Sequence, residues 1–246
     1  MTAPEIEGFS HSTRHTSHSA PEANSETPEV KAKPAGPVLV VGLGNPGMDY
    51  FWTPHNAGFM AIDRIAQQQG LVVQNRRCKA QTATARMGGR EVILAKPETF
   101  MNLSGLSVAA LLKEFEIGPG QRAASLVVVY DELDLPLGSM KIKERGSPAG
   151  HNGARSISGA LGSHEWLRIR IGVGPDLPAE AIAAGGKRTR GGGRGGKDYL
   201  LEPMRKADLA VLDEVLDRVA TAVRRIIEDS PAAAMNEFNR KPDDKV

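Results

Sequence analysis

Apolar and polar positions fall into blocks along this chain, and the blocks read as an α/β protein. Val38-Leu39-Val40-Val41 is a short β-branched apolar run closed by Gly42, the pattern of a buried strand. Thr53-Pro54 then reads as a helix start, with Thr as N-cap and Pro at the first helical position. Phe59, Ile62 and Ile65 follow at three-residue spacing, and Gly70 is the stop. Residues 79–86 alternate small and polar side chains and residues 91–95 are apolar, which predicts a hairpin turning at Gly88-Gly89. A helix from Ser104 to about Glu116 buries Val108, Leu111, Leu112 and Phe115. Residues 126–130 form a third buried strand, residues 139–143 and 166–174 alternate, and a helix covers residues 154–161. From Met204 to about Glu228, Leu212, Leu216, Val219, Val223 and Ile226 share one stripe, an amphipathic helix packed on the domain rather than a dimer seam. Strands alternating with helices predict a single α/β domain whose twisted, mixed but largely parallel central sheet is flanked by helices.

Composition sets the limits of that domain. Residues 1–36 are rich in Ser, Thr, Pro, Glu and His with few large apolar side chains, and read as a disordered tail. Its His11, His15 and His18 fit solvated low-complexity sequence better than a metal tract, and Glu5, Glu7, Glu22, Glu26 and Glu29 argue against a transit peptide. The run GGKRTRGGGRGGK from Gly185 to Lys197 reads as a flexible insertion, bounded at residues 183–197. Residues beyond Ser230 read as polar and loosely held. The expected domain is residues 37–239, with 240–246 as a second tail.

Charge and cysteine content narrow the class. The formal charge is only +2, so total charge does not announce a nucleic-acid binder and its distribution matters more. A single cysteine, Cys78, excludes an internal disulfide and a thiolate metal cluster, which suits a reducing, cytoplasmic setting. No apolar run approaches the ~20 residues of a membrane span, and the N-terminus lacks the apolar core of a secretory signal.

Candidate chemistry concentrates at strand ends, where open α/β sheets place their sites. After the first strand, Gly42, Gly44 and Gly47 allow close approach of backbone to a ligand, and Pro46 stiffens the turn presenting Asn45. The same glycines match the G-x-G-x-x-G spacing, but residues 48–54 separate them from the helix, against a dinucleotide site. His55 would lie in the first turn of the helix, whose positive end favours the neutral imidazole, usable as a general base; a capping or surface role is the plain alternative. Asp131 follows the third strand and is a candidate partner for His55, or else a turn cap before Pro136. Lys141, Lys143, Arg168 and Arg170 sit on alternating strands, as a phosphate-tracking patch or a solvated sheet face.

Five motifs in order are together more specific than any one of them: Gly42-Leu43-Gly44-Asn45-Pro46-Gly47 with Tyr50; His55-Asn56-Ala57-Gly58; residues 96–105, KPETFMNLSG; Asp131-Glu132-Leu133-Asp134-Leu135-Pro136; and Gly150-His151-Asn152-Gly153. Over Val38 to Asn239 the chain resembles bacterial-type peptidyl-tRNA hydrolases. The resemblance implies hydrolysis of the ester joining a peptide to the 3′ end of tRNA, with no metal or cofactor, by a cytoplasmic monomer without membrane attachment. It implies His55 as the base and Asp131 as the carboxylate that orients it. Asn45, Asn102 and Asn152 would hold substrate and water, Tyr50, Phe100 and Met101 would wall the pocket, and Lys143 and Arg168 would meet tRNA phosphates. The chain departs from the family at Pro54, commonly Arg, at Tyr130, commonly His, and at Ser147-Pro148-Ala149. The competing readings are a non-catalytic RNA- or protein-binding relative, a dinucleotide-dependent oxidoreductase, and a metallohydrolase built on His55, Asp131 and His151.

Overall fold

A computed structural model describes residues 36–175 and 196–240 of the chain. Its strands are β1 (Val38–Gly42), β2 (Asn75–Arg77), β3 (Ala80–Met87), β4 (Arg90–Pro97), β5 (Leu126–Pro136), β6 (Met140–Arg145) and β7 (Glu165–Gly174). The helices are α1 (Ala57–Gln68), α2 (Ser104–Glu114), the single turn α3 (Arg122–Ser125), α4 (Asn152–Leu161), α5 (Gly196–Leu201), α6 (Lys206–Glu228) and α7 (Pro231–Phe238). The expected tail and most of the expected insertion lie outside the described residues; Gly196 and Lys197, at the insertion's end, begin α5.

One seven-stranded sheet runs in the order β2-β3-β4-β1-β5-β7-β6. The central strands β4, β1, β5 and β7 are parallel, and the two flanks are antiparallel, so the sheet is mixed and largely parallel as the pattern predicts. The β3–β4 hairpin turns at Gly88 and Gly89, both at positive φ, which a two-residue type I′ turn requires. Parallel strands are buried on both faces, which is why β1 and the first half of β5, Leu126 to Tyr130, read as unbroken apolar runs. On one face α1 and α6 pack Ile62, Ile65, Leu212, Val219 and Val223 against Val40, Leu94, Val127 and Ile169. On the other, α2 and α4 set Val108, Leu111, Ala154 and Ile157 on Leu39, Val41, Val128 and Tyr130.

Close approach decides the glycines around β1. A Cβ on Gly58 would lie 2.4 Å from both the Leu43 nitrogen and the Val129 oxygen, and one on Gly42 would lie 2.1 Å from the Gly58 oxygen. These glycines therefore serve contact between the first turn of α1 and the sheet, not between backbone and ligand. Gly58→Ala should destabilise the fold by roughly 3 kcal/mol, because the obstacle is backbone that cannot repack. Urea denaturation would show it as a lowered midpoint, and an unchanged midpoint would refute the close packing.

Two boundaries differ from expectation. Strand β5 does not stop at Tyr130 but continues to Pro136, with Asp131 paired opposite Ile171 and an irregularity between Glu132 and Pro136. Beyond Ser230 the chain is not loose: the Ser230 hydroxyl accepts from the Ala233 N–H, Pro231 takes the first helical position, and Ala234 is buried. Asn239 then lies along edge strand β6, accepting from the Ile142 N–H at 2.7 Å and donating to the Ile142 carbonyl at 3.0 Å. A side-chain amide thereby closes part of an open sheet edge.

Candidate active site

The C-terminal ends of β1, β4 and β5 and the segment before α4 converge on a cleft of about 720 Å³. Asn45, His55, Phe100, Met101, Asn102 and Asp131 line it, with Ala149 to Asn152 on one side and Leu200 and Leu201 of α5 on another. His55 reaches it from a 3₁₀ turn, Pro54–Asn56, that precedes α1. Thr53 does not cap that turn with its side chain; its hydroxyl donates to the Tyr50 carbonyl at 2.9 Å instead.

At the centre, one carboxylate oxygen takes two imidazoles. Asp131 Oδ1 lies 2.9 Å from His55 Nδ1 and 2.9 Å from His151 Nε2, and all three side chains are buried. The tautomers follow from the partners. The His151 Nδ1 accepts from the Ala154 N–H at 3.2 Å, so the ring proton sits on Nε2 and is donated to Asp131. An ionised carboxylate only accepts, so His55 carries its proton on Nδ1 and leaves the Nε2 lone pair free. That is the state a general base needs. The same logic bears on a metal. Ligand atoms of His55, Asp131 and His151 lie within 4.8 Å of one another, yet a cation on His151 Nε2 would force the proton onto Nδ1, against the Ala154 N–H. The trio fits proton sharing better than cation binding.

Asn45 is held from three sides. Its N–H donates to Asn56 Oδ1 at 2.8 Å, its carbonyl accepts from Asn56 Nδ2 at 3.0 Å, and its Oδ1 accepts from the Met101 N–H at 2.9 Å. With Oδ1 spent on Met101, the Nδ2 amide is the part left for the cleft. Asn102 and Asn152 are exposed amides on its wall, and Met101 is buried beneath while Phe100 stands 60% exposed. Tyr50 lies outside the cleft, its ring next to Gly47.

The expected phosphate contacts part company. Lys143 is exposed on edge strand β6. Arg168 is buried and donates to the carbonyls of Gly146, Ser147 and His164, so its guanidinium does not face solvent. Arg170, expected on the same basic face, is paired with Glu132. Sequence reasoning weighed His151 only as a metal ligand, not as a second imidazole on Asp131, and gave Asn56 no role, although both lie inside quoted motifs. The available signal was a polar residue at an otherwise buried position beside a chemical one. The Tyr130 ring packs beside that of His151, with their centroids 4.7 Å apart.

Electrostatics corrects one expectation. Burial alone would lower the His55 pKa, as would a helix start, but the charge and hydrogen bond of Asp131 outweigh it and hold the imidazole above its ordinary 6.5. Burial would likewise raise Asp131, yet the two imidazoles hold its carboxyl far below the usual carboxylate range. Because the folded pKa of His55 is raised, its stabilising contribution is complete below pH ~6.5 and fades as pH rises through the folded value. The stability difference between the native chain and His55→Ala should therefore narrow between about pH 6 and about pH 8; urea titrations showing it widen would contradict the raised pKa.

Comparison with known proteins identifies the family. The family model described as peptidyl-tRNA hydrolase matches residues 39–245. A peptidyl-tRNA hydrolase of Acidobacterium capsulatum is 56% identical over 203 residues, covering 82% of this chain and 96% of the relative. One from Koribacter versatilis is 49% identical over 205 residues, covering 83% and 94%. The crystal structure of peptidyl-tRNA hydrolase from Acinetobacter baumannii superposes with a TM-score of 0.68 at 29% identity, over 82% of this chain and 94% of that one. The family match spans the fold and every residue of the cleft, and the chain belongs to the peptidyl-tRNA hydrolase family.

Proposed function

We propose that this chain hydrolyses the ester between a peptide, or an N-blocked amino acid, and the 3′ end of tRNA by general-base catalysis. The observation that carries the reading is the His55 Nδ1 to Asp131 Oδ1 bond of 2.9 Å at the floor of a cleft, which frees His55 Nε2. His55 Nε2 takes a proton from water as the water oxygen attacks the acyl carbon. Asp131 stabilises the imidazolium so formed. The bond from the acyl carbon to the ribose oxygen then breaks, and His55 returns the proton to that oxygen, leaving a free tRNA hydroxyl and a peptide carboxylic acid that gives up its own proton to solvent. An ester is more activated than an amide, so a positioned water, a neutral imidazole and hydrogen-bond donors suffice without a seryl nucleophile.

The remaining residues supply position. The Asn45 amide donates to the acyl oxygen as charge develops there. Asn102 and Asn152 bind the peptide backbone or the terminal nucleotide without charge. Phe100 and Met101 present an apolar wall, and Lys143 meets tRNA phosphate. The catalytic unit is residues 37–239, acting as a monomer in the cytoplasm; no described helix is long and apolar enough to cross a membrane. The test is incubation with N-blocked aminoacyl-tRNA, followed by separation of free and esterified tRNA. Conversion to free tRNA is the expected result. Binding of intact substrate without conversion would instead indicate a binding protein that retains the fold.

A further inference from the structure

Lys143 and Arg168 pair across β6 and β7, so both side chains leave the same face of the sheet. Their surroundings nevertheless differ. Lys141, Lys143 and Arg145 are exposed along the edge strand, whereas Arg168 is only 1% exposed. Its Nη1 donates to the Gly146 carbonyl at 2.6 Å and the Ser147 carbonyl at 3.2 Å, and its Nη2 to the His164 carbonyl at 3.0 Å. The guanidinium also stacks on Trp166, 3.8 Å from the ring centroid. A phosphate could reach it only by displacing the backbone that covers it.

The covering segment leads straight into the site. Gly146, Ala149 and Gly150 all adopt positive φ, and for Ala149, at 48°, that conformation costs about 1 kcal/mol. Such a loop keeps its course only if something outside it fixes the path. The His151 N–H closes the turn onto the Pro148 carbonyl at 2.9 Å, and His151 then meets Asp131 while Asn152 enters the cleft. One arm of the planar fork, Nη1, holds two successive loop carbonyls while the other, Nη2, is tied to the His164 carbonyl, and the single ammonium of a lysine cannot hold both places at once.

We propose that Arg168 is a positioning residue for hydrolysis: from beneath the loop it fixes Gly146 and Ser147, so that His151 stays on Asp131 and Asn152 stays in the cleft. The tRNA phosphates then meet the exposed strip of Lys141, Lys143 and Arg145. This rests on the hydrolase reading above.

The experiment compares Arg168→Lys, Arg168→Met and the double variant Lys143→Ala/Arg145→Ala on two substrates: N-blocked aminoacyl-tRNA, and the same acyl group on a short 3′-terminal oligonucleotide. Arg168→Lys keeps the charge but loses the fork. It should lower kcat roughly tenfold or more on both substrates, with any rise in KM equal on the two and the salt dependence of kcat/KM unchanged. Arg168→Met should behave likewise, and if it fails to fold, Arg168→Lys carries the test. The double variant should raise KM for the tRNA substrate and flatten the dependence of log kcat/KM on log salt by about 1 to 2. The proposal is overturned if Arg168→Lys keeps native kcat on both substrates. It is equally overturned if Arg168→Met acts only on tRNA KM and the salt slope, the behaviour of a phosphate contact. A native chain that cleaves neither substrate would instead overturn the hydrolase reading itself.

Discussion

His55→Ala should lower kcat for peptide release by on the order of 10²- to 10⁴-fold, the range for removing a general base, while leaving substrate binding largely intact. The reasoning is local. His55 Nδ1 is committed to Asp131, which leaves Nε2 unprotonated on a side chain that lines the cleft. His151 cannot substitute, because its Nε2 carries a proton for Asp131 and its Nδ1 accepts from Ala154. The variant removes a side chain at the cleft surface rather than from the core, so the fold should persist. Single-turnover rates with saturating enzyme measure the effect. A kcat within about threefold of native would eliminate His55 as the base.

Asp131→Asn should lower kcat by on the order of 10²-fold and should separate charge from geometry. Both imidazoles bond the same oxygen, Oδ1, so an asparagine can keep both hydrogen bonds while losing the negative charge. What disappears is the stabilisation of the imidazolium that forms as water is deprotonated. The His55 pKa, held above its ordinary value by that charge, should fall, and the acid limb of the pH profile should move to lower pH. A loss of rate with the limb unmoved would mean that Asp131 acts through geometry alone.

The fold was largely legible because its signals are local. Continuous β-branched runs at β1 and β5 announce strands buried on both faces, and the stripe of Leu212, Leu216, Val219, Val223 and Ile226 on α6 is buried as its spacing predicts. Asn45, Phe100, Met101, Asn102 and Asn152 stand at the cleft for the reason their motifs suggest, namely that they follow strands or open helices beside it.

What was not legible depends on contacts across long sequence separations. Arg168 and Lys143 both read as basic residues on alternating strands, and nothing in the alternation tells that the loop after β6 folds back over one of them. His151 and Asp131 are 20 residues apart and His55 is 76 from Asp131, so the shared oxygen exists only in the folded chain. The short range of β1-to-α1 signals likewise assigned Gly42 to ligand approach, whereas the partner is Gly58, brought against it by helix packing. The raised His55 pKa belongs to the same class, because the carboxylate that overrides burial arrives from a different strand.

The most direct test of the central claim is kcat/KM of the native chain for N-blocked aminoacyl-tRNA between about pH 5 and about pH 9, measured in parallel with and without EDTA. General-base hydrolysis through a carboxylate-supported His55 predicts a rate that rises through one ionisation above pH 6.5, reaches a plateau, and is the same with and without the chelator. A rate that is flat across this range, or that vanishes on chelation, would contradict it.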